Sequence, residues 1–436
     1  MAAPSLVRNP LSIAGAWLTT LGAFAFLTYY AAAEFGLIES PYGGLFGFVT
    51  APAVFVVGLL LIPLGMWRER RRRGGGREPW SWPSFDLGRR QTRTVVAAVG
   101  VLTIVNLAIV ALAGLGATHY METDEFCGQV CHAPMEPQYT AHLVPPHVEV
   151  GCVQCHVAPG AGGAIRAKVN GVRQLALMVT GDYARPVPSP PHGIPVAADT
   201  CSTCHTPGFP DRDLTIVKRS YASDEENTEY VTTLEMLTSR IHWHARPDVV
   251  VEYVATDEAR DAIPWVRTTG LDGRTTEYTA EGTTSQPAGE VRRMDCLDCH
   301  SRPAHRFSDS AESAVDRTLA AGRVSRDLPY VRREMLSLLT ADYATEAEAP
   351  AAIARQLPEF YRSHEVPAAA VSEAVNATQR LYELNVFPQM NVTWGTYTSQ
   401  LGHAERAGCF RCHDDGHTAP DGRAVRMDCE LCHRIQ

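Results

Sequence analysis

A mostly α-helical chain with a membrane anchor at its amino end is the fold class predicted by three features of these 436 residues. Three long uncharged apolar runs come before residue 118, helical periodicity marks much of the last third, and the sequence between is broken by proline and glycine. All 12 cysteines follow the third run.

The apolar runs cover residues 11–33, 44–67 and 94–117, and each is long enough to cross a bilayer as a helix. Between the second and third lies RERRRRGGGREPWSWPSFDLGRRQTR, with nine arginines against three acids. Such a loop stays in the cytoplasm. The amino terminus is then cytoplasmic as well, the turn around Glu34 and Glu39 faces outward, and everything after the third run emerges on the far side. Trp80 and Trp82, beside the arginines, suit the headgroup layer. The whole chain carries −9, so without the loop's +6 the remainder carries −15. Its basic character therefore belongs to membrane topology and not to nucleic-acid binding. A cleavable signal peptide fits poorly, because the first run exceeds an ordinary h-region, lacks a strong basic lead and is followed by a second span.

The cysteines form six pairs: Cys127/Cys131, Cys152/Cys155, Cys201/Cys204, Cys296/Cys299, Cys409/Cys412 and Cys429/Cys432. Each pair is followed at once by a histidine, namely His132, His156, His205, His300, His413 and His433. Five pairs have CxxCH spacing, which reads as c-type haem attachment: two thiols add across the haem vinyl groups and the adjacent imidazole meets the iron. Taken alone, Cys409/Cys412 and Cys429/Cys432 also have zinc-ribbon spacing, but a four-cysteine zinc site does not require a histidine behind every pair. A disulfide framework fits less well, since CxxC pairs staple nothing distant. Haem c is matured outside the cytoplasm, so topology and cysteine chemistry agree.

Composition then divides the chain. Residues 1–118 are the anchor with three transmembrane helices, and 119–206 hold haems 1–3 in so little polypeptide that the haems serve as core. Residues 207–293 lack a motif and alternate apolar with polar in DVVVEYVAT and RTTEYTAE, with Asp272-Gly273 as a hairpin signal, which predicts a small β-rich insertion. Residues 294–436 hold haems 4–6 around helical patterns such as ESAVDRTLAAG, YVRREMLSLLTADY and AAAVSEAVNATQRLYEL. The fold class is thus a mostly α multihaem cytochrome c: three N-terminal transmembrane helices, a haem core low in secondary structure, a β-rich insertion and a helical C-terminal part.

Each iron needs a second axial ligand or a reason to lack one. Ten histidines lie outside the motifs, and His147, His192, His242, His244, His305, His403 and His417 sit where approach to a haem face is easiest. His242 and His244, two apart on a strand-like segment, share one face; they serve two haems, or one holds a propionate. The first motif differs. In EFCGQVCHAPMEPQY three residues separate Cys127 from Cys131, which shifts His132 against the ring. Met135, one helical turn beyond His132, is the natural substitute ligand; a packing methionine is the alternative.

CHAPMEPQYTAH, PPHVEVGCVQCH and RAKVNGV resemble the NapC/NirT/NrfH family of membrane-anchored quinol dehydrogenase cytochromes over about residues 118–206. Across its length, with IHWH, MDCLDCH, GCFRCHDDGH and MDCELCH, the chain resembles the larger inner-membrane multihaem cytochromes of the ImcH type. The resemblance implies that Met135 ligates the first iron, that His147 reaches across to a later haem, and that a quinol lies against haem 1 near a lysine, which Lys168 matches. Asn170 stands where some relatives place an aspartate, so Glu136 or Asp182 is left to take a quinol proton. Three spans and a CxxxCH at haem 1 depart from the single helix and regular motif of common members.

The expected function is that of a three-pass bacterial inner-membrane hexahaem cytochrome c. It oxidises menaquinol at haem 1 and relays electrons through bis-histidine haems to periplasmic c-type cytochromes, in respiration or extracellular electron transfer. The alternative is a terminal reductase of nitrite or a similar small oxyanion, which needs an open iron; no CxxCK occurs here.

Overall fold

A computed structural model describes residues 9–38, 40, 42–72, 88, 90–189, 195–205, 213–397 and 399–435. Most of the arginine loop, the Trp80 and Trp82 pair, Glu39 and His192 lie outside the described residues. The chain divides into two compact units, 1–130 and 131–436, with the boundary inside the first cysteine motif. The stretches 131–206, 207–293 and 294–436 therefore belong to one unit.

In the first unit, α1 (Pro10–Glu34) starts on Asn9, whose side chain accepts from the Ser12 amide. A π-helical turn at Leu45–Thr50 leads into α2 (Ala51–Arg72), which ends on Arg70, Arg71 and Arg72. The third helix is α3 (Arg90–Tyr120). Three spans, Pro10–Glu34, Leu45–Arg72 and Thr92–Tyr120, are long and apolar enough to cross a membrane. Small residues let α1 and α2 approach closely: a Cβ on Gly22 would stand 2.6 Å from the Phe55 nitrogen. The Ser12 hydroxyl donates to the Ile62 carbonyl at 2.9 Å across the same interface. Phe26, Phe55, Ile109 and Ala113 form the buried cluster that joins the three helices, while Trp17, Phe24, Leu102, Ile104 and Leu115 remain exposed, as lipid-facing side chains do.

The second unit opens with α4 (His132–His142), α5 (Cys152–His156) and α6 (Gly160–Thr180). No acid lies on α6, and Ile165, Val169, Val172 and Val179 stand exposed at helical spacing along it. The hairpin of β1 (Leu214–Tyr221) and β2 (Glu229–Met236) is followed by the single turn α7 (Thr238–Ile241). Next come β3 (Val250–Val254), β4 (Trp265–Thr269), β5 (Thr275–Thr279) and β6 (Arg292–Arg293), an antiparallel sheet in the order β5-β4-β3-β6. The Asp272-Gly273 signal is realised as the β4–β5 turn, with Gly273 at φ +71. The helix α8 (Cys296–Cys299) precedes α9 (Ala311–Ala320), α10 (Val331–Leu339), α11 (Glu348–Tyr361) and α12 (Ala368–Asn385), whose apolar faces share Val315, Leu319, Met335, Leu339, Ile353 and Leu357. The chain closes with β7 (His433–Ile435), which pairs antiparallel with β2, Met236 opposite His433.

One expectation fails locally. IHWH is not strand-like: α7 runs into a 3-10 turn at His242–Ala245, so positions two apart point to different sides and not to one face.

Candidate functional site

The paired cysteines sit on single helical turns. Motif two is α5, motif four is α8, and motifs three, five and six lie on 3-10 turns at Cys201–Thr203, Gly408–Arg411 and Cys429–Leu431. A turn of helix places residues three apart on one side, as two thiols reaching one porphyrin edge require. The stretched motif winds instead as a π-helical turn, Phe126–Val130. A π turn holds more residues than an α turn, so the extra residue between Cys127 and Cys131 is taken up in the winding. Among the described residues, no three of the Cys409, Cys412, Cys429 and Cys432 sulfurs converge within the 4.8 Å that a shared metal ion would need, which removes the zinc ribbon.

The histidines behind five of these motifs each face another histidine. Ring centroids are 6.0 Å apart for His156 and His305, 6.2 Å for His205 and His147, and 6.4 Å for His300 and His242. His413 and His244 are 5.9 Å apart, and His433 and His403 are 6.1 Å apart. Two imidazoles bound to opposite sides of one metal at about 2 Å each have centroids about 6 Å apart. The residues present therefore fit haem irons with two imidazole ligands.

The other ring nitrogens support the same arrangement. Nδ1 donates to a backbone carbonyl in His147 (Pro303, 2.9 Å), His244 (Ile241, 2.9 Å), His305 (Gln138, 3.0 Å) and His413 (Arg426, 3.0 Å). That bond fixes the tautomer and aims Nε2, as second partners of metal-bound histidines do. Desolvation by surrounding protein atoms lowers the pKa of His156, His244 and His300, and pushes His305 down to about 4 with help from the charges of His156, Arg302 and His142. A neutral imidazole is the form that binds metal.

Three motifs border one cavity of about 260 Å³. It is lined by Cys299, Cys409, Cys412 and Cys432, with Trp243, Val251, Ile263 and Val266 supplying apolar wall. Arg411, buried there, donates to the carbonyls of Gly408, Arg260 and Asp298 at 2.8, 3.0 and 2.8 Å, tying motif five to motif four. Asp298 in turn accepts from Arg260 at 2.9 Å and from the Tyr253 hydroxyl at 2.5 Å. Electrostatic neighbours run in sequence order. Burial raises the thiol pKa of Cys155, Cys296, Cys299 and Cys432, and the shift is added to in Cys155 by Cys201 and Cys204, in Cys296 by Cys201, in Cys299 by Cys409, and in Cys432 by Cys409.

Two histidines depart from the sequence expectation. His417 is buried, but Nδ1 bonds Asp414 at 2.9 Å and Nε2 bonds the Ile263 carbonyl at 2.6 Å, so neither nitrogen is left for an iron. Its place is a structural clamp between the sheet and the loop after motif five. His142, in contrast, drew no notice in the sequence beyond its place among the ten histidines outside the motifs. It is buried, its Nδ1 meets the Ala304 carbonyl at 3.3 Å, and its ring lies 6.0 Å from His305. Among the described residues its Nε2 is buried without a partner, which costs about 1–3 kcal/mol unless something bonds it. The only sequence signal was its place at the end of CHAPMEPQYTAH, ten residues beyond His132 on α4.

At the first motif, Met135 is half-buried in the opening turn of α4, three residues beyond His132. Glu136 accepts from Gln389 at 2.6 Å and so faces the helical region. Lys168 lies half-buried on α6, and Asn170 is exposed on the same helix.

Comparison with known proteins brings one relative forward. The cytochrome c-type protein ImcH of Geobacter sulfurreducens is 34% identical over 449 residues, which cover 98% of this chain and 88% of that protein. No family model matches the chain, and no solved structure matches it.

Proposed function

From the premise that the chain belongs to the ImcH-type membrane-anchored cytochromes c, we propose that it oxidises menaquinol at haem 1 and relays electrons to periplasmic c-type cytochromes. The family assignment makes the protein an electron-transfer cytochrome in a membrane, with covalently bound haem c. The finer reading is of six haems, of which five have two histidine ligands, in a bacterial inner membrane with the amino terminus in the cytoplasm.

When bound, haem c supplies one-electron chemistry, its iron alternating between ferric and ferrous states. The chain's own residues do the rest. His156 with His305, His205 with His147, His300 with His242, His413 with His244 and His433 with His403 would hold the irons. Backbone carbonyls fix four of those rings. His132 and Met135, one turn apart on α4, are the candidates at haem 1, where a thioether ligand would raise the potential relative to imidazole. His192 is kept as a further candidate ligand from sequence only.

One observation carries the proposal of quinol oxidation: Cys127 follows Tyr120, the end of the third span, by seven residues. A haem attached there is the one that a lipid-soluble reductant meets first. The electrostatic influence of successive motifs on one another, from Cys155 to Cys432, supports a path that follows the sequence, ending where Cys429 is exposed and a soluble carrier can dock. Paired imidazoles at five motifs would occupy both ligand positions of the irons they hold and leave no room there for a small oxyanion, which weighs against the reductase reading. On α6, the exposed apolar stripe beside Lys168 is suited to a lipid surface; Lys168 is the quinol contact the resemblance carries, Asn170 stands where some relatives have an aspartate, and Glu136 or Asp182 is left to take the proton.

The test reduces the purified chain in nanodiscs with a menaquinol analogue. Lys168→Ala and Met135→Ala should each slow haem reduction about tenfold or more. Parent-like rates in both would remove haem 1 as the point where electrons arrive.

A further inference from the structure

A cavity of about 350 Å³ opens within the first unit, lined by Tyr29, Ser40, Gly44, Tyr120, Glu125 and Gln129. It sits where α1 ends, where the π turn before α2 begins and where α3 ends, so three successive spans contribute their ends from one side. Its volume is within the roughly 300–1,000 Å³ of small-molecule sites.

The walls are flat aromatic rings seated on glycine. A Cβ on Gly47 would stand 1.8 Å from the Tyr29 ring, and one on Gly44 2.2 Å from the Tyr120 ring. Those rings belong to a continuous series: Tyr29 meets Phe48 edge-on at 5.2 Å, Phe48 lies 6.2 Å from Tyr120, and Tyr120 meets Phe126 edge-on at 5.2 Å. Phe126 adjoins Cys127, and Gln129 in the cavity wall belongs to the same π turn. Polar groups gather at the rim: the Tyr29 and Ser40 hydroxyls, the Gln129 amide and the exposed Glu125 carboxylate. Nearby Phe35, Leu37 and Phe46 are exposed, an apolar margin on which an isoprenoid tail can lie in lipid.

We propose that this cavity binds the quinol head group between Tyr29 and Tyr120, with Glu125 accepting a quinol proton. The proposal rests on the quinol-oxidation reading above and moves the head group's main contacts from α6 to the span ends. Oxidation of the quinol to quinone releases two electrons and two hydroxyl protons. The electrons reduce ferric haem one at a time, beginning at Cys127; one proton passes to the Glu125 carboxylate and then to solvent, the other directly to water at the mouth.

The experiment uses the full haem-loaded chain in nanodiscs and two readouts. Binding is followed by fluorescence quenching of 2-heptyl-4-hydroxyquinoline N-oxide, a quinol-site probe, and turnover by haem reduction with menadiol. Gly44→Ala, whose methyl would overlap the Tyr120 ring and force it out of its place in the cavity wall, should weaken probe binding at least about tenfold. Glu125→Gln should bind the probe within about threefold of the parent, yet reduce about a hundredfold more slowly, the loss expected for a missing general base. Dithionite-reduced spectra per polypeptide should match in all variants. If Gly44→Ala loses haem, Tyr29→Ala takes its place with the same expected binding loss. Parent-like binding and rates in these variants overturn the cavity assignment, as does loss of probe binding in Lys168→Ala alone, which would return the site to α6 and leave quinol oxidation standing. A parent chain that neither binds the probe nor accepts electrons from menadiol overturns quinol oxidation itself.

Discussion

Residues 131–205 and residues 310–397 are comparable lengths of the same unit, yet they are held together by different means. In the second stretch the core is made of side chains: Val315, Leu319, Val331, Met335, Ile353, Leu357 and Leu381 are buried against one another. In the first, the buried apolar side chains among the described residues reduce to Ala141, Ala197, Pro137 and Pro195. What is buried there instead is His142, with the ligand candidates His156 and His305 close by. The contrast teaches that one region is stable by its own hydrophobic burial, at roughly 25 cal/mol per Å², while the other needs cofactor to fill its interior.

Withholding haem should break the comparison most visibly. In chain expressed without cytochrome c maturation, trypsin should cut within 131–205 about a hundredfold faster than within 310–397, as fragment masses over time would record. Equal resistance would mean the first stretch has a core of its own. A smaller effect comes from the other side. Leu357→Ala removes a fully buried side chain, so the helical region should lose about 2–5 kcal/mol in denaturant titration while the haem absorption spectrum stays unchanged.

Single ligands sharpen the contrast further. His242→Ala should turn one haem high-spin, while His417→Ala should leave the spin state of every haem as in the parent and only loosen the clamp to Ile263. The smallest effect is on pH. In chain matured without haem, where no iron holds the ring, burial keeps His305 near 4 against an ordinary 6.5, so the unfolded chain takes up that proton first as pH falls. Its contribution to stability is therefore full above 6.5, declines from 6.5 towards 4 and levels below that. A stability titration that is flat across this window would contradict the burial of that ring.

What the sequence made legible follows from distance along the chain. The attachment motifs are local, and the spans are runs of one composition, so both could be read directly. Helices α9, α10 and α12 followed from periodicity, and the β4–β5 hairpin from Asp272-Gly273. The histidine partners did not follow, because each pairing joins residues far apart: His147 faces His205, and His305 faces His156. His417 looked equivalent to His403 because sequence gives no view of a ring whose two nitrogens are already bonded. His142 escaped because burial, not spacing, distinguishes it. The stretched spacing predicts a displaced histidine; the π turn at Phe126–Val130 adds where the extra residue is taken up.

The most direct measurement is haem stoichiometry combined with near-infrared magnetic circular dichroism on the purified full chain. The account predicts six haems per polypeptide, five with the charge-transfer band of two imidazole ligands and one with a different signature that is altered in Met135→Ala. Fewer haems, bound zinc, or several irons lacking the two-imidazole signature would contradict it.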